Sequence, residues 1–139
     1  MTDVPLDLSR TAAVVLDVDG TIAGADHRVS ARTSRAMSAL DEAGVPVVLA
    51  TGRTRANVRD IARAAGLRSA QISCNGAVIT DPATGADIWV RTVPEADMTA
   101  MIEVHHSTGR PLTWWTVDEI YATDEQLART MAQINESEV

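Results

Sequence analysis

Three apolar runs set the terms for this chain: AAVVLDVD at 12–19, VPVVLATGR at 45–53 and SAQISCNGAVIT at 69–80. Each climbs through aliphatic residues and then stops on polar side chains. A continuous apolar run of that length, bounded by a turn, is the pattern of a strand covered on both faces. The segments between the runs have helical spacing. Ser30 is placed to cap one that runs to Ala43, with Ala36, Met37, Leu40 and Ala43 along one face and Gly44 as its stop. Thr54 can cap the next, whose stripe of Val58, Ile61, Ala62 and Ala65 ends at Gly66. Strand, helix, strand, helix, strand implies an α/β fold, a doubly wound, Rossmann-like parallel sheet.

In such sheets ligands bind where the strand C-termini converge. Asp17, Asp19, Thr51, Arg53 and Asn75 all fall at or just past those ends. Two acids at one strand end need no function if they face water. The longer stretch DVDGT, set opposite a second polar-tipped strand reading ATGR, argues for one. A carboxylate can attack phosphorus and form an aspartyl-phosphate that water then cleaves. Bringing an anion to a phosphate is repulsive, so such a site needs a cation and fixed hydrogen-bond donors. Mg²⁺ suits the task because it prefers oxygen ligands and keeps water and substrate in its shell. Asp17 as nucleophile and Asp19 as acid/base meet the chemical needs, with the turn at Gly20 returning Asp19 over the site. The Thr51 hydroxyl and the N–H groups of the loop, with Gly20 and Thr21 expected among the phosphate-binding residues, can hold the phosphoryl oxygens.

The second part reads differently. DPATGADIWV at 81–90 is a hairpin with a Gly-containing loop. Pro94 suits the first turn of a helix through Ser107, striped by Met98, Met101, Ile102 and His105. RPLTWWTVDEIYAT is strand-like, and Thr123 to Gln126 has capping-box spacing before a last helix carrying Leu127, Met131 and Ile134. The boundary falls near residue 81, giving units of 1–80 and 81–139.

The blocks LDVDGTI at 16–22, VLATGR at 48–53 and ISCNGAVI at 72–79 resemble, in order and spacing, the haloacid dehalogenase superfamily of phosphatases, in particular its Cof-type branch. The resemblance implies that 1–80 is the N-terminal part of that core and 81–139 the start of an α+β cap. It implies Asp17 as nucleophile, Asp19 as general acid/base, and Mg²⁺ held by the Asp17 carboxylate and the Asp19 backbone carbonyl. Thr51 is then the second-motif phosphate donor, and Gly52, Arg53 and Asn75 shape the pocket, with Arg53 and Asn75 facing the substrate. The expected activity is Mg²⁺-dependent hydrolysis of a small phosphorylated metabolite such as a sugar phosphate. The pattern departs from the family's in its second half. All twelve basic residues here are Arg, so the Lys that neutralises the family's site is missing, as is its later Gly-Asp block. That leaves a competing expectation, a shortened relative acting as a binding or interaction module. A phospho-accepting receiver domain fits poorly, because the end of the third strand holds Cys74-Asn75 rather than an acid.

Composition narrows the partners. A net charge of −7 offers no basic field for nucleic acid. No apolar stretch approaches the ~20 residues that span a bilayer, and the chain reads as cytoplasmic. The lone Cys74 is expected as a small buried hydrophobe. The first strand stands as an unpaired apolar edge in this half-core, so cover by self-association, a partner chain, the leader at 1–11 or the last helix is expected. His105 reads as a satisfied packing residue, His106 as exposed, and Arg55 as a solvated helix residue.

Overall fold

The computed structural model describes residues 10–135. Seven short strands and four helices follow one another as β1 (Val14–Leu16), α1 (Ala31–Glu42), β2 (Val47–Leu49), α2 (Arg55–Ala64), β3 (Gln71–Ser73), β4 (Val78–Thr80), β5 (Asp87–Val90), α3 (Glu95–Thr108), β6 (Thr113–Trp115), β7 (Ile120–Ala122) and α4 (Glu125–Asn135). β1 and β2 pair in parallel, Leu16 opposite Leu49. A single parallel bridge from Ala50 to Ile72 carries the sheet on to β3. From there it turns antiparallel through β4 and β5, while β6 and β7 form a separate hairpin.

Only one backbone bridge joins β2 to β3 because a side chain takes up the rest. Gln71 accepts from Leu49 N at 2.7 Å and donates to the Val47 carbonyl at 3.1 Å and the Ser69 carbonyl at 2.6 Å. Its amide thus acts as a surrogate peptide group, and it is 2% exposed. Such a buried amide is tolerable only when its polar atoms are matched.

The core gathers where the helix stripes meet the inner face of the sheet. Val47 and Leu49 of β2, Met37 of α1 and Val58, Ile61 and Ala62 of α2 are buried together. Each large side chain among them contributes about 1.5–3 kcal/mol through burial. Both helices start as their caps dictate: Ser30 Oγ accepts from Thr33 N at 3.1 Å, and Thr54 Oγ1 from Asn57 N at 3.5 Å. Buried Asp41 ends α1 against Arg68, whose Nε donates to its carboxylate at 2.7 Å and whose Nη2 donates to its carbonyl at 2.6 Å.

Three expectations need correction. β1 is not covered on both faces: Val15 is 62% exposed, because α1 and α2 pack on the face that carries Leu49. α4 does not cover β1 either; it packs on β7, and its end reaches α2, where Asn135 Oδ1 accepts from Thr54 N at 2.9 Å. Residues 1–9 of the leader lie outside the described residues. Nor does Thr123 cap α4. Asp124 does, accepting from Leu127 N at 2.9 Å, while the Thr123 hydroxyl closes the β6–β7 hairpin on Leu112.

Candidate active site

The parallel ladder sets the three polar strand ends side by side. Ala50 N donates to the Leu16 carbonyl at 2.8 Å, which brings Asp17 and Val18 level with Ala50 and Thr51. Thr51 N donates in turn to the Ile72 carbonyl at 3.2 Å, and Asn75 N to the Thr51 carbonyl at 3.1 Å. The D-V-D order has a packing reason as well as a chemical one. Val18 is wholly buried and its carbonyl accepts from Thr21, Ile22 and Ala23, so the chain pivots there with an acid on either side. Gly20 supplies the positive φ of 77° that this turn requires.

Asp17 is exposed, and the Thr21 hydroxyl lies 3.5 Å from its carboxylate. Asp19 is held firmly. Arg53 forks it, Nε to Oδ2 at 3.0 Å and Nη2 to Oδ1 at 2.8 Å, and His27 Nδ1 sits 3.0 Å from Oδ1. The Arg53 hydrogen bonds are the main reason that the Asp19 carboxyl lies below its usual range; partial burial opposes them, and His27 adds to them. His27 holds its place in a left-handed conformation with φ 59°, a backbone strain of the kind stored at functional sites.

Arg53 was expected to face the substrate. It is instead almost fully buried, with Nη1 on Asn57 Oδ1 at 2.9 Å and Nη2 also on the His27 carbonyl at 2.8 Å. A guanidinium survives in a core only when its donors are matched, and these acceptors do that. Thr51 is buried, and its hydroxyl oxygen accepts from Arg53 N at 3.2 Å. That contact uses a lone pair and leaves the hydroxyl proton to point elsewhere.

Asn75 lies over Gly52. A Cβ added to Gly52 would stand 2.9 Å from Asn75 Oδ1, so a side chain at the second position of the TGR block requires the Asn75 amide to move. Asn75 also occupies left-handed space, φ 54°, between Cys74 at 51° and Gly76 at 87°. Cys74 N anchors the bend on the Arg53 carbonyl at 2.8 Å. Burial pushes the Cys74 thiol upward, which keeps it protonated and inert.

Sequence reasoning missed a clamp beside the site. Arg55 donates to Asp118 through Nε at 2.9 Å and through Nη2, and to Asp87 through Nη1 at 2.7 Å. Its N–H meets the Val117 carbonyl at 3.1 Å. The residue expected to be solvated thus ties α2, β5 and the β6–β7 hairpin together, and Asp118 is its partner. No spacing rule could have joined positions 55 and 118.

Comparison with known proteins decides the family. A model of haloacid dehalogenase-like hydrolases matches residues 14–139. The chain belongs to the haloacid dehalogenase-like hydrolases. The chain is 33% identical over 102 residues to a phosphoglycolate phosphatase of Methanopyrus kandleri, covering 73% of this chain and 42% of that protein. It is 38% identical over 69 residues to phosphatase YwpJ of Bacillus subtilis, covering 50% of this chain and 24% of that one. A haloacid dehalogenase-like hydrolase from Bacteroides thetaiotaomicron superposes with a TM-score of 0.79 at 20% identity, over 91% of this chain and 50% of that structure. A second, from B. subtilis, gives 0.74 at 25% identity over 93% and 47%. The chain spans about half, or less, of the length of these relatives.

Proposed function

We propose that this chain carries the nucleophile-bearing half of a Mg²⁺-dependent phosphomonoester hydrolase acting on a small phosphorylated metabolite. Asp17 Oδ attacks phosphorus as the ester P–O bond breaks. The leaving oxygen takes a proton from Asp19. Water then attacks the aspartyl-phosphate, gives its proton to Asp19 and releases inorganic phosphate, restoring the Asp17 carboxylate. Thr51 donates its hydroxyl to a phosphoryl oxygen, and Gly20 and Thr21 shape the turn beneath. Residues 1–80 serve as the core and 81–139 as the cap.

The observation that carries this reading is the register: the aspartates, Thr51 and Asn75 stand on adjacent strand ends, bonded into one loop cluster. The donor set fits magnesium in kind. It consists of the Asp17 carboxylate and the Asp19 carbonyl. Among the described residues, no group of three or more acidic, His or Cys side chains forms a closed metal cage. Magnesium commonly relies on one or two protein carboxylates with water and phosphate completing its shell. Bound there, it supplies positive charge against the developing phosphoryl negative charge. Relatives named as phosphoglycolate and HMP-PP phosphatases support a small phosphorylated substrate.

One observation favours a second reading, a binding module without turnover. Arg53 is fully engaged in holding Asp19 and the chain has no Lys, so little free positive charge faces the phosphate. An aryl phosphate assay with Mg²⁺, run beside Asp17→Asn, separates the two. Turnover that vanishes in the variant supports the hydrolase; equal background in both supports the module.

A further inference from the structure

The segment after the two aspartates folds back on itself, Ala23 bridging both Asp19 and Val29, and this return sets His27 against Asp19. His27 is fastened through backbone and ring alike. Its N–H donates to the Gly24 carbonyl at 3.0 Å, its carbonyl accepts from Arg53 Nη2 at 2.8 Å, and its ring Nδ1 lies 3.0 Å from Asp19 Oδ1. These contacts hold the backbone at φ 59°, a conformation that a residue with a side chain keeps only where its surroundings impose it.

The ring contact makes the two oxygens of Asp19 unequal. A carboxylate offers about four lone-pair sites, two on each oxygen. The Arg53 fork takes one from each, Nε on Oδ2 at 3.0 Å and Nη2 on Oδ1 at 2.8 Å, and alone would leave the oxygens equivalent. A carboxylate only accepts, which assigns the ring hydrogen to His27 Nδ1. That donor fills the second site on Oδ1. Among the described residues nothing but Arg53 bonds to Oδ2. The Asp19 side chain is 35% exposed, so a small molecule can reach it.

We infer that His27 is a positioning residue for the reaction: by occupying Oδ1 it makes Oδ2 the oxygen that meets the leaving group and the hydrolytic water. The inference rests on the reading of Asp17 and Asp19 as the reacting pair. It requires only a δ nitrogen bearing hydrogen on a left-handed backbone. Asparagine supplies both, since its Nδ2 stands the same number of bonds from Cα and the residue tolerates positive φ. Glycine supplies the backbone alone. Aspartate keeps the shape of asparagine but, when ionised, has no hydrogen to give.

The test compares His27→Asn, His27→Gly and His27→Asp in the 139-residue chain with Mg²⁺, after circular dichroism has matched their folds to the wild type. Turnover of 4-nitrophenyl phosphate is the first readout, because its hydrolysis still needs Asp19 to take a proton from the attacking water. The second is the ¹³C carboxyl signal of Asp19 in aspartate-labelled protein, assigned through Asp19→Asn. His27→Gly and His27→Asp should lower kcat roughly tenfold or more, leave KM within about twofold, and move the Asp19 signal. His27→Asn should return both readouts close to wild type. Equal kcat in the wild type and His27→Gly overturns the inference and leaves the hydrolase standing. So does a His27→Asn that fails as badly as His27→Gly, because the δ hydrogen is then not what matters. A fall in kcat with an unmoved Asp19 signal puts the loss in the loop and overturns it as well. Should His27→Gly not fold, equal kcat in the Asn and Asp variants overturns it. A wild type with no turnover above Asp17→Asn overturns the hydrolase reading itself, and the inference with it.

Discussion

Arg53 and Asp19 lie 34 positions apart, yet they meet as a two-point fork, Nε to Oδ2 at 3.0 Å and Nη2 to Oδ1 at 2.8 Å. The pair locks the loop after β1 to the start of α2, with the guanidinium in the core and the carboxylate at the surface. Arg53→Ala should therefore cost about 2–4 kcal/mol, chiefly by leaving a cavity and orphaning Asn57 and the His27 carbonyl. Screening at the half-open Asp19 keeps the ionic share small. Arg53→Lys should recover little, since an ammonium cannot reproduce the planar fork. Urea unfolding of the three proteins measures both; wild-type stability in the Ala variant would sink the argument.

The same pair sets the direction of the acid response. Asp19 titrates lower in the folded chain than the ~3.9 of an unfolded one. Its stabilising contribution is complete above about pH 4 and drains as pH falls through the lowered folded value. Asp118, lowered by Arg55, acts in the same sense. Asp19→Asn should flatten the stability profile below about pH 4. Denaturant titrations between pH 2 and 6 (roughly the span over which carboxylates protonate) would show it, and an unchanged slope would count against the pairing.

With its carboxyl held below the usual range by Arg53, Asp19 seldom carries the proton that a leaving oxygen would take. Esters whose leaving group needs no proton should suit this site best. With Mg²⁺ present, 4-nitrophenyl phosphate should be cleaved at least roughly 100-fold faster than an alkyl phosphate, since general-acid help is worth ~10²–10⁴. Chelating the metal should abolish both activities. Equal rates for the two esters would show that Asp19 donates a proton freely.

Gly52 and Asn75 are sterically coupled. Gly52→Ala places a methyl 2.9 Å from Asn75 Oδ1, and should cost about 1–2 kcal/mol by overpacking. Adding Asn75→Gly removes the amide and suits the positive φ, so the double variant should regain most of that loss. Additive losses in thermal unfolding would contradict the contact.

Gln71 stands in for backbone between β2 and β3. Gln71→Leu keeps the bulk but leaves Leu49 N–H and the Val47 carbonyl buried without partners, at a cost of about 2–4 kcal/mol. Hydrogen exchange should quicken at Leu49 before it does at Val58. No change in Leu49 exchange would refute the surrogate role.

Much of this was legible from local pattern. Ser30 and Thr54 cap their helices, and the Val58, Ile61, Ala62 stripe of α2 is buried, because spacing along one helix decides both. Gly20 and Asn75-Gly76 adopt the positive φ values that their residue types announce. The site illustrates the limit of such reading. Arg53 was identified as near the site, but its direction was misjudged, since nothing local shows that Asp19 and the His27 carbonyl wait inside. Val15 read as a covered strand residue, although covering depends on which elements pack there.

What the chain's order of residues determined alone was the sequence of strands and helices, their caps, and the gathering of polar tips at one end of the sheet. These follow from periodicity and backbone sterics, which act over a few residues. Tertiary structure decided the partners: Arg53 with Asp19, Arg55 with Asp118, and Gln71 with β2. Those contacts link positions far apart in the chain, and only packing brings such charges and faces within reach of one another.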